Sequence, residues 1–521
     1  MTPLRLRPRT VPLAALALIS SLLVAAQLPA SAPAQAAGSF CRALPGLTAN
    51  VWQGAGVGPG TSDAWAEDAN WSTGTSPMTG DKYVCIPAGG TPFITGDTSE
   101  VYSIATMDIA SGARLRIGLG AKVVVFGDQA SQPSTVRGRL EVLGAGFGGD
   151  ARLDVLGSVS IRNLGPGKAA SLFTRLCRYY PVPPYPYPSY PGEEPCFGPD
   201  GPDAGTSPDP MPVTGTRGLL TVADSGVVDV EGGGVNLGDQ YQLVVRGLLR
   251  FRDRGFLAAD HGASLELRPR QLPSSRTGTL RIESDGGVYE GFIERDTGIA
   301  GLATVVNDGL IEKTGGGGLA TINADYSQTA AGRIAVTDGT LLLPEGPARA
   351  ASVGPGDSYG TGRCFDPTVP RCQASTFDAD RQNARLRVPR RDPSGAAVRV
   401  RELAEQPGLR SLGAPFLAHA DHLRATRTDP AILTFRIDER LLAGRGWKSV
   451  DVLRKANGST SYVPVVRCLS DGRPPVGSSA CVDRRGLASS SHNVRDGDFG
   501  GTRPDVVMVV RTTATSRWIC R

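Results

Sequence analysis

At 521 residues with 67 Gly, 40 Pro and 20% charged side chains, the chain is too turn-rich for a helical bundle and long enough for two or three domains. The formal charge of +5 falls to about +2 once Arg5, Arg7 and Arg9 leave with a leader, against 50 acidic residues, which excludes the strongly basic footprint of a nucleic-acid binder.

The chain opens on an export signal. Arg5, Arg7 and Arg9 precede the apolar stretch Val11 to Ala26, and Ala34-Gln35-Ala36 supplies the small residues of a cleavage site, so 1–36 is predicted to be removed. Phe40 before Cys41 argues against a lipid anchor, and no later apolar run approaches the roughly 20 residues of a membrane span. Nine cysteines in an exported chain predict a disulfide framework. Sequence neighbours suggest Cys41 with Cys85, Cys177 with Cys196, Cys364 with Cys372 and Cys468 with Cys481, with Cys520 left over.

After a short lead over 37–50, Trp52, Trp65 and Trp71 precede a Gly80-Asp81 turn and a strand-like run to Pro87. The segment AWAEDANWSTGTSPMTGDKYVCIP resembles the opening of bacterial autotransporter-like and adhesin-like β-solenoids, which implies that an aromatic cap covers the first rung. Tryptophans of this kind also stack on sugar rings, and capping is favoured here because all three adjoin the first predicted rung.

The body is a series of short alternating runs, among them Leu115-Arg116-Ile117, Leu140-Glu141-Val142, Leu153-Asp154-Val155 and Val159-Ser160-Ile161. Alternation sends one face inward and the other to solvent. A Gly-x-Leu/Ile element recurs loosely at Gly138, Gly218, Gly247, Gly278, Gly309, Gly332 and Gly339, densest between Gly309 and Gly346. Runs too short to fold alone, separated by Gly corners, predict stacked coils: an all-β chain with a parallel β-solenoid over 51–346, of the right-handed β-helix type.

The Pro/Tyr-rich stretch YYPVPPYPYPSYPG interrupts the pattern inside an insertion at 177–212. Its polyproline backbone is pre-ordered, so Tyr179, Tyr180, Tyr185, Tyr187 and Tyr190 form the candidate ligand surface, weighed against a plain disulfide-pinned loop. A Gly-, Pro-, Asp- and Arg-rich span over 347–395 reads as a linker or long loop. From Ala396 onward, the run Leu433 to Asp438, the Cys468 and Cys481 pair, Cys481-Val482-Asp483-Arg484 and a closing strand near Ser516-Arg517-Trp518 resemble a carboxy-terminal module of secreted actinobacterial proteins. That resemblance implies a compact β-sandwich over 396–521, braced by disulfide.

No catalytic constellation stands out. His419 and His422 are the only close pair among four histidines, with His261 and His492 remote, and HxxH without a third ligand is a weak zinc signal. No G-x-S-x-G elbow, phosphate-binding loop or calcium nonapeptide is present, so no cofactor and no metal are predicted. The expected function is therefore a surface-displayed, non-enzymatic scaffold for adhesion or for binding a polysaccharide or cell-surface protein. The alternatives are a polysaccharide lyase or glycosidase using groove carboxylates such as Asp229 and Glu231 or Asp253 and Asp260, and a purely structural envelope component.

Overall fold

The computed structural model describes residues 40–42, 48–54, 64–78, 83–94, 101–118, 121–125, 133–148, 152–162, 170–173, 218–237, 241–259, 262–269, 277–290, 303–344, 350–361, 383–391, 394–403, 412, 415–437, 442, 446–487 and 506–521. Among these residues the elements are strands and short 3-10 turns, without an α-helix.

Strands are dealt to three sheets in rotation. The first sheet is parallel throughout and runs from Ala49–Val51 and Tyr83–Ile86 to Asp325–Gln328. The third begins Phe93–Ile94, Arg114–Ile117, Arg139–Leu143, Ser158–Arg162 and Val227–Glu231, and continues through Leu248–Arg252, Thr279–Ile282, Leu310–Lys313 and Arg333–Val336 to Ala351–Val353. The second begins at Val101–Ile104 and reaches Ser358–Thr361 before its pairing turns antiparallel. Over most of the chain each strand pairs with the strand three further on, so the two intervening strands serve as the crossover that parallel pairing requires.

The sequence alternation explains the core. On the third sheet Leu115, Leu140, Val159, Val228, Leu249, Leu280, Ile311 and Ile334 stand in register and are all buried. They join inward residues of the other two sheets in one continuous apolar cluster. The glycine element gains a physical cause at the corner leading into these strands. At Gly138, Gly157, Gly226, Gly247, Gly278, Gly309 and Gly332 an added Cβ would lie closer than 3.0 Å to a backbone carbonyl oxygen of an earlier turn. Close approach of backbones, rather than an unusual dihedral, selects glycine there.

A charge stands in one otherwise apolar inward column of the third sheet. Lys313 aligns with Ile282 and Val336, and its side chain is 0% exposed. Its ammonium reaches the corner, where it donates to the Gly315 carbonyl and lies 3.4 Å from Asp285 Oδ1. Burial pushes this amine below its ordinary value.

The entrance is sealed by aromatics. Trp52, Trp65 and Trp71 are 1–2% exposed and meet edge to face at centroid distances of 5.1 and 4.7 Å. The Trp65 indole N–H donates to Pro77 O and that of Trp71 to Trp65 O. The Cys41–Cys85 disulfide ties the lead to the first sheet. Beside it, Arg42 makes two hydrogen bonds to Asp108 at 2.7 and 2.8 Å, and the Tyr83 hydroxyl donates to the same carboxylate at 2.6 Å.

At the other end the sheets do not stop together. Ser358–Thr361 pairs antiparallel with Asn383–Arg387, which leads to Ala431–Ile437, Val506–Thr512 and Ala480–Leu487. Ala351–Val353 pairs antiparallel with Ala396–Glu402, which leads to Phe416–Asp421, Ser516–Cys520 and Val452–Ala456. Two parallel sheets thus run on into antiparallel ones, and their inner faces meet where the Phe416 and Phe435 rings lie 5.9 Å apart. Three of these strands, Ala351–Val353, Ser358–Thr361 and Asn383–Arg387, fall inside the span whose composition reads as a linker. Runs this short, set in a Gly-, Pro-, Asp- and Arg-rich span, are easily passed over even where they alternate. The Cys468–Cys481 bridge forms as expected, while Cys177, Cys196, Cys364 and Cys372 lie outside the described residues. Cys520 is buried at the end of Ser516–Cys520.

Candidate functional site

The third sheet carries the most ordered array of chemistry on the molecule. Alternation turns every second side chain outward, and stacking sets outward residues of successive turns roughly 4.8 Å apart. One column reads Arg116, Glu141, Ser160, Asp229, Arg250, Arg281 and Glu312. Another sets Arg162 beside Glu231 and Glu231 beside Arg252. Residues 21 to 69 apart in sequence become ion-pair neighbours this way.

Arg250 donates to both oxygens of Asp229 at 2.7 and 3.0 Å, and Arg162 Nη2 donates to Glu231 at 2.5 Å. Arg252 binds Glu283 at 3.1 Å and Arg281 binds Glu312 at 2.5 Å. The Asp229 hydrogen bonds raise the Arg250 guanidinium above its usual value. These side chains are 14–50% exposed, so each pair stabilises by at most about 1 kcal/mol. Their larger effect is to fix charge positions on a rigid surface.

Nearer the entrance the same face opens into a groove of about 460 Å³ at the glycine corner. Its walls are Arg114, Arg137 and Arg139, and Ser158, Ser225 and small residues form its floor. Glu141 lies beneath with its side chain 5% exposed, taking Arg114 at 2.5 Å and Arg139 at 2.7 Å, with Arg116 at 3.7 Å. Arg137 reaches over the Phe40 ring at 5.3 Å.

The residues singled out from sequence are scattered. Asp229 and Glu231 stand on this face, each engaged by arginine, and Asp253 occupies a turn at φ 46°. His419 bonds Asp421 at 2.7 Å, whereas His422 sits in the following turn at φ 62°. Among the described residues no group of three or more His, Cys, Asp or Glu side chains is arranged to hold a metal ion. Tyr179, Tyr180, Tyr185, Tyr187 and Tyr190, with Asp260, His261 and His492, lie outside the described residues. No described helix is long and apolar enough to cross a membrane.

Sequence reasoning missed Arg114, Arg116, Arg137 and Arg139. The available signal was the Arg-x-Arg spacing at 114–116, which on the strand Arg114–Ile117 directs both side chains to one face, whereas Arg137 lies in the bend before Arg139–Leu143. Comparison with family models, curated protein sequences and solved structures found no match to this chain.

Proposed function

We propose that the chain is an exported β-solenoid, wound as a right-handed β-helix and closed by an antiparallel β-sandwich, that displays its third sheet to an extracellular polysaccharide or surface protein without transforming it. The carrying observation is the state of the outward carboxylates. Asp229 accepts from Arg250 through both oxygens and Glu231 accepts from Arg162 through Oε2, so both carboxylates are engaged in ion pairs along the sheet. A catalytic carboxylate has to reach a substrate, and an ion pair to a neighbouring turn holds it on the sheet instead. The Cys41–Cys85 and Cys468–Cys481 disulfides suit an oxidising extracellular compartment, in keeping with the predicted leader.

Retention of the mature chain on immobilised neutral and charged polysaccharides tests the proposal. Retention on at least one polymer, kept in an Asp229→Asn variant of unchanged melting temperature, is expected. Failure to bind any polymer or any cell-envelope protein would overturn it.

A further inference from the structure

Arginines and carboxylates are matched over the middle turns of the third sheet but not beside the groove. Along its later turns Arg162, Arg250, Arg252 and Arg281 are matched by Asp229, Glu231, Glu283 and Glu312. Beside the groove Arg114, Arg116 and Arg139 share the single carboxylate of Glu141, and Arg137 at the corner lies over the Phe40 ring. Glu141 takes Arg114 through both oxygens. Arg114 Nε is nevertheless buried without a hydrogen-bond partner, and Arg139 remains 53% exposed. Guanidiniums present forked donors suited to carboxylate and sulfate.

We propose that this groove binds an acidic polysaccharide, a polymer bearing carboxylate or sulfate groups, through Arg114, Arg137 and Arg139. The inference rests on the display reading and names its ligand class. A polymer fits better than a single anion because half-exposed guanidiniums compete with water and hold one ion weakly. Repeated anionic groups engage successive turns at once and gain from effective concentration. Ser158 and Ser225 line the groove with hydroxyls, Ser225 donating its own proton to Leu156 O and keeping its oxygen as an acceptor. The groove offers no apolar pocket for the anchoring side chain of an acidic peptide.

The test measures affinity of the mature chain for dextran sulfate, polygalacturonate, uncharged dextran and polyglutamate over a range of salt concentrations. Arg137→Ser/Arg139→Ser is compared with Arg333→Ser, an exposed arginine further along the same sheet, after confirming that both variants melt like the parent. The double variant should lose about ten-fold in affinity for the acidic polysaccharides and show a shallower salt slope, with Arg333→Ser close to the parent. Uncharged dextran should not bind through this site. Equal loss in Arg333→Ser would reduce the effect to overall charge and overturn the groove. Undiminished binding in the double variant would overturn the groove while leaving display intact, whereas binding to none of the polymers or to any envelope protein would remove both. Polyglutamate bound as tightly as dextran sulfate would overturn the assignment to a glycan. If the double variant melts early, the parent's competition by soluble polygalacturonate decides the same question: no competition between the two acidic polysaccharides would overturn the shared site.

Discussion

Replacing Gly309 with alanine tests the physical basis of the repeat. The added methyl would approach the Gly278 carbonyl oxygen closer than 3.0 Å, a separation real Cβ atoms do not adopt. Relief requires the two turns to part locally, and the hydrogen bond from Leu310 N to Gly278 O, now 2.9 Å, is the first to lengthen. Losing that bond costs about 1 kcal/mol, and overpacking adds about 1–3 kcal/mol, for a total of about 2–4 kcal/mol. Repeat arrays need not unfold in one step, so a global midpoint would understate the effect. Amide exchange resolved to 279–282 and 310–313 is the proper assay, with protection expected to fall about 30-fold or more at those strands and little at Val506–Thr512. Gly446→Ala is the control, since nothing lies within 4 Å of its added methyl. Unchanged exchange in Gly309→Ala would refute the close-approach account of the glycine column.

Asp108→Ala should destabilise the entrance by about 3 kcal/mol, because it strands the Arg42 guanidinium and the Tyr83 hydroxyl beside a site only 2% exposed; thermal melting measures it. Replacing Cys41 and Cys85 with serine reopens a sequence separation of 44 and should cost up to about 4 kcal/mol in the chain-entropy model. Combined with Asp108→Ala the loss should be less than additive, since both fasten the same lead. Lys313 predicts a pH dependence. Its folded value lies below the ordinary 10.5, so between the two the unfolded chain binds more protons and stability rises with pH. That contribution is full above 10.5 and is lost as pH falls through the window, and the parent-minus-Lys313→Met difference in denaturation midpoint should show it.

Period-two alternation made the strands legible, because each run had to bury one face whatever its partner. Leu115-Arg116-Ile117 and Leu153-Asp154-Val155 read correctly for that reason, as did the all-β class, whereas Glu141 and Ser160, expected to face solvent, are buried. The Cys41–Cys85 and Cys468–Cys481 pairs were legible because the partners flank local excursions. Trp52, Trp65 and Trp71 stood out by their clustering, and the structure buries all three in the stretch between Ala49–Val51 and Tyr83–Ile86. Register was not legible. Arg162 meets Glu231 across 69 residues and Arg281 meets Glu312 across 31, so the charge columns depend on excursions of unequal length. Lys313 escaped notice because Ile311-Glu312-Lys313 alternates like any outward-ending strand, and only the corner carbonyl and Asp285 explain its inward course. The continuation of two sheets into antiparallel layers was hidden because its strands of three to five residues, though Ala351–Val353 and Asn383–Arg387 alternate, stand isolated in a Gly-, Pro-, Asp- and Arg-rich span.

The central claim is that the charged third sheet holds a polymer without cutting it. Prolonged incubation of the mature chain with the polysaccharide that retains it, following reducing ends, unsaturated products and polymer length, tests this most directly. Retention with an unchanged length distribution is the predicted result; new chain ends that disappear in Asp229→Asn or Glu231→Gln would contradict it.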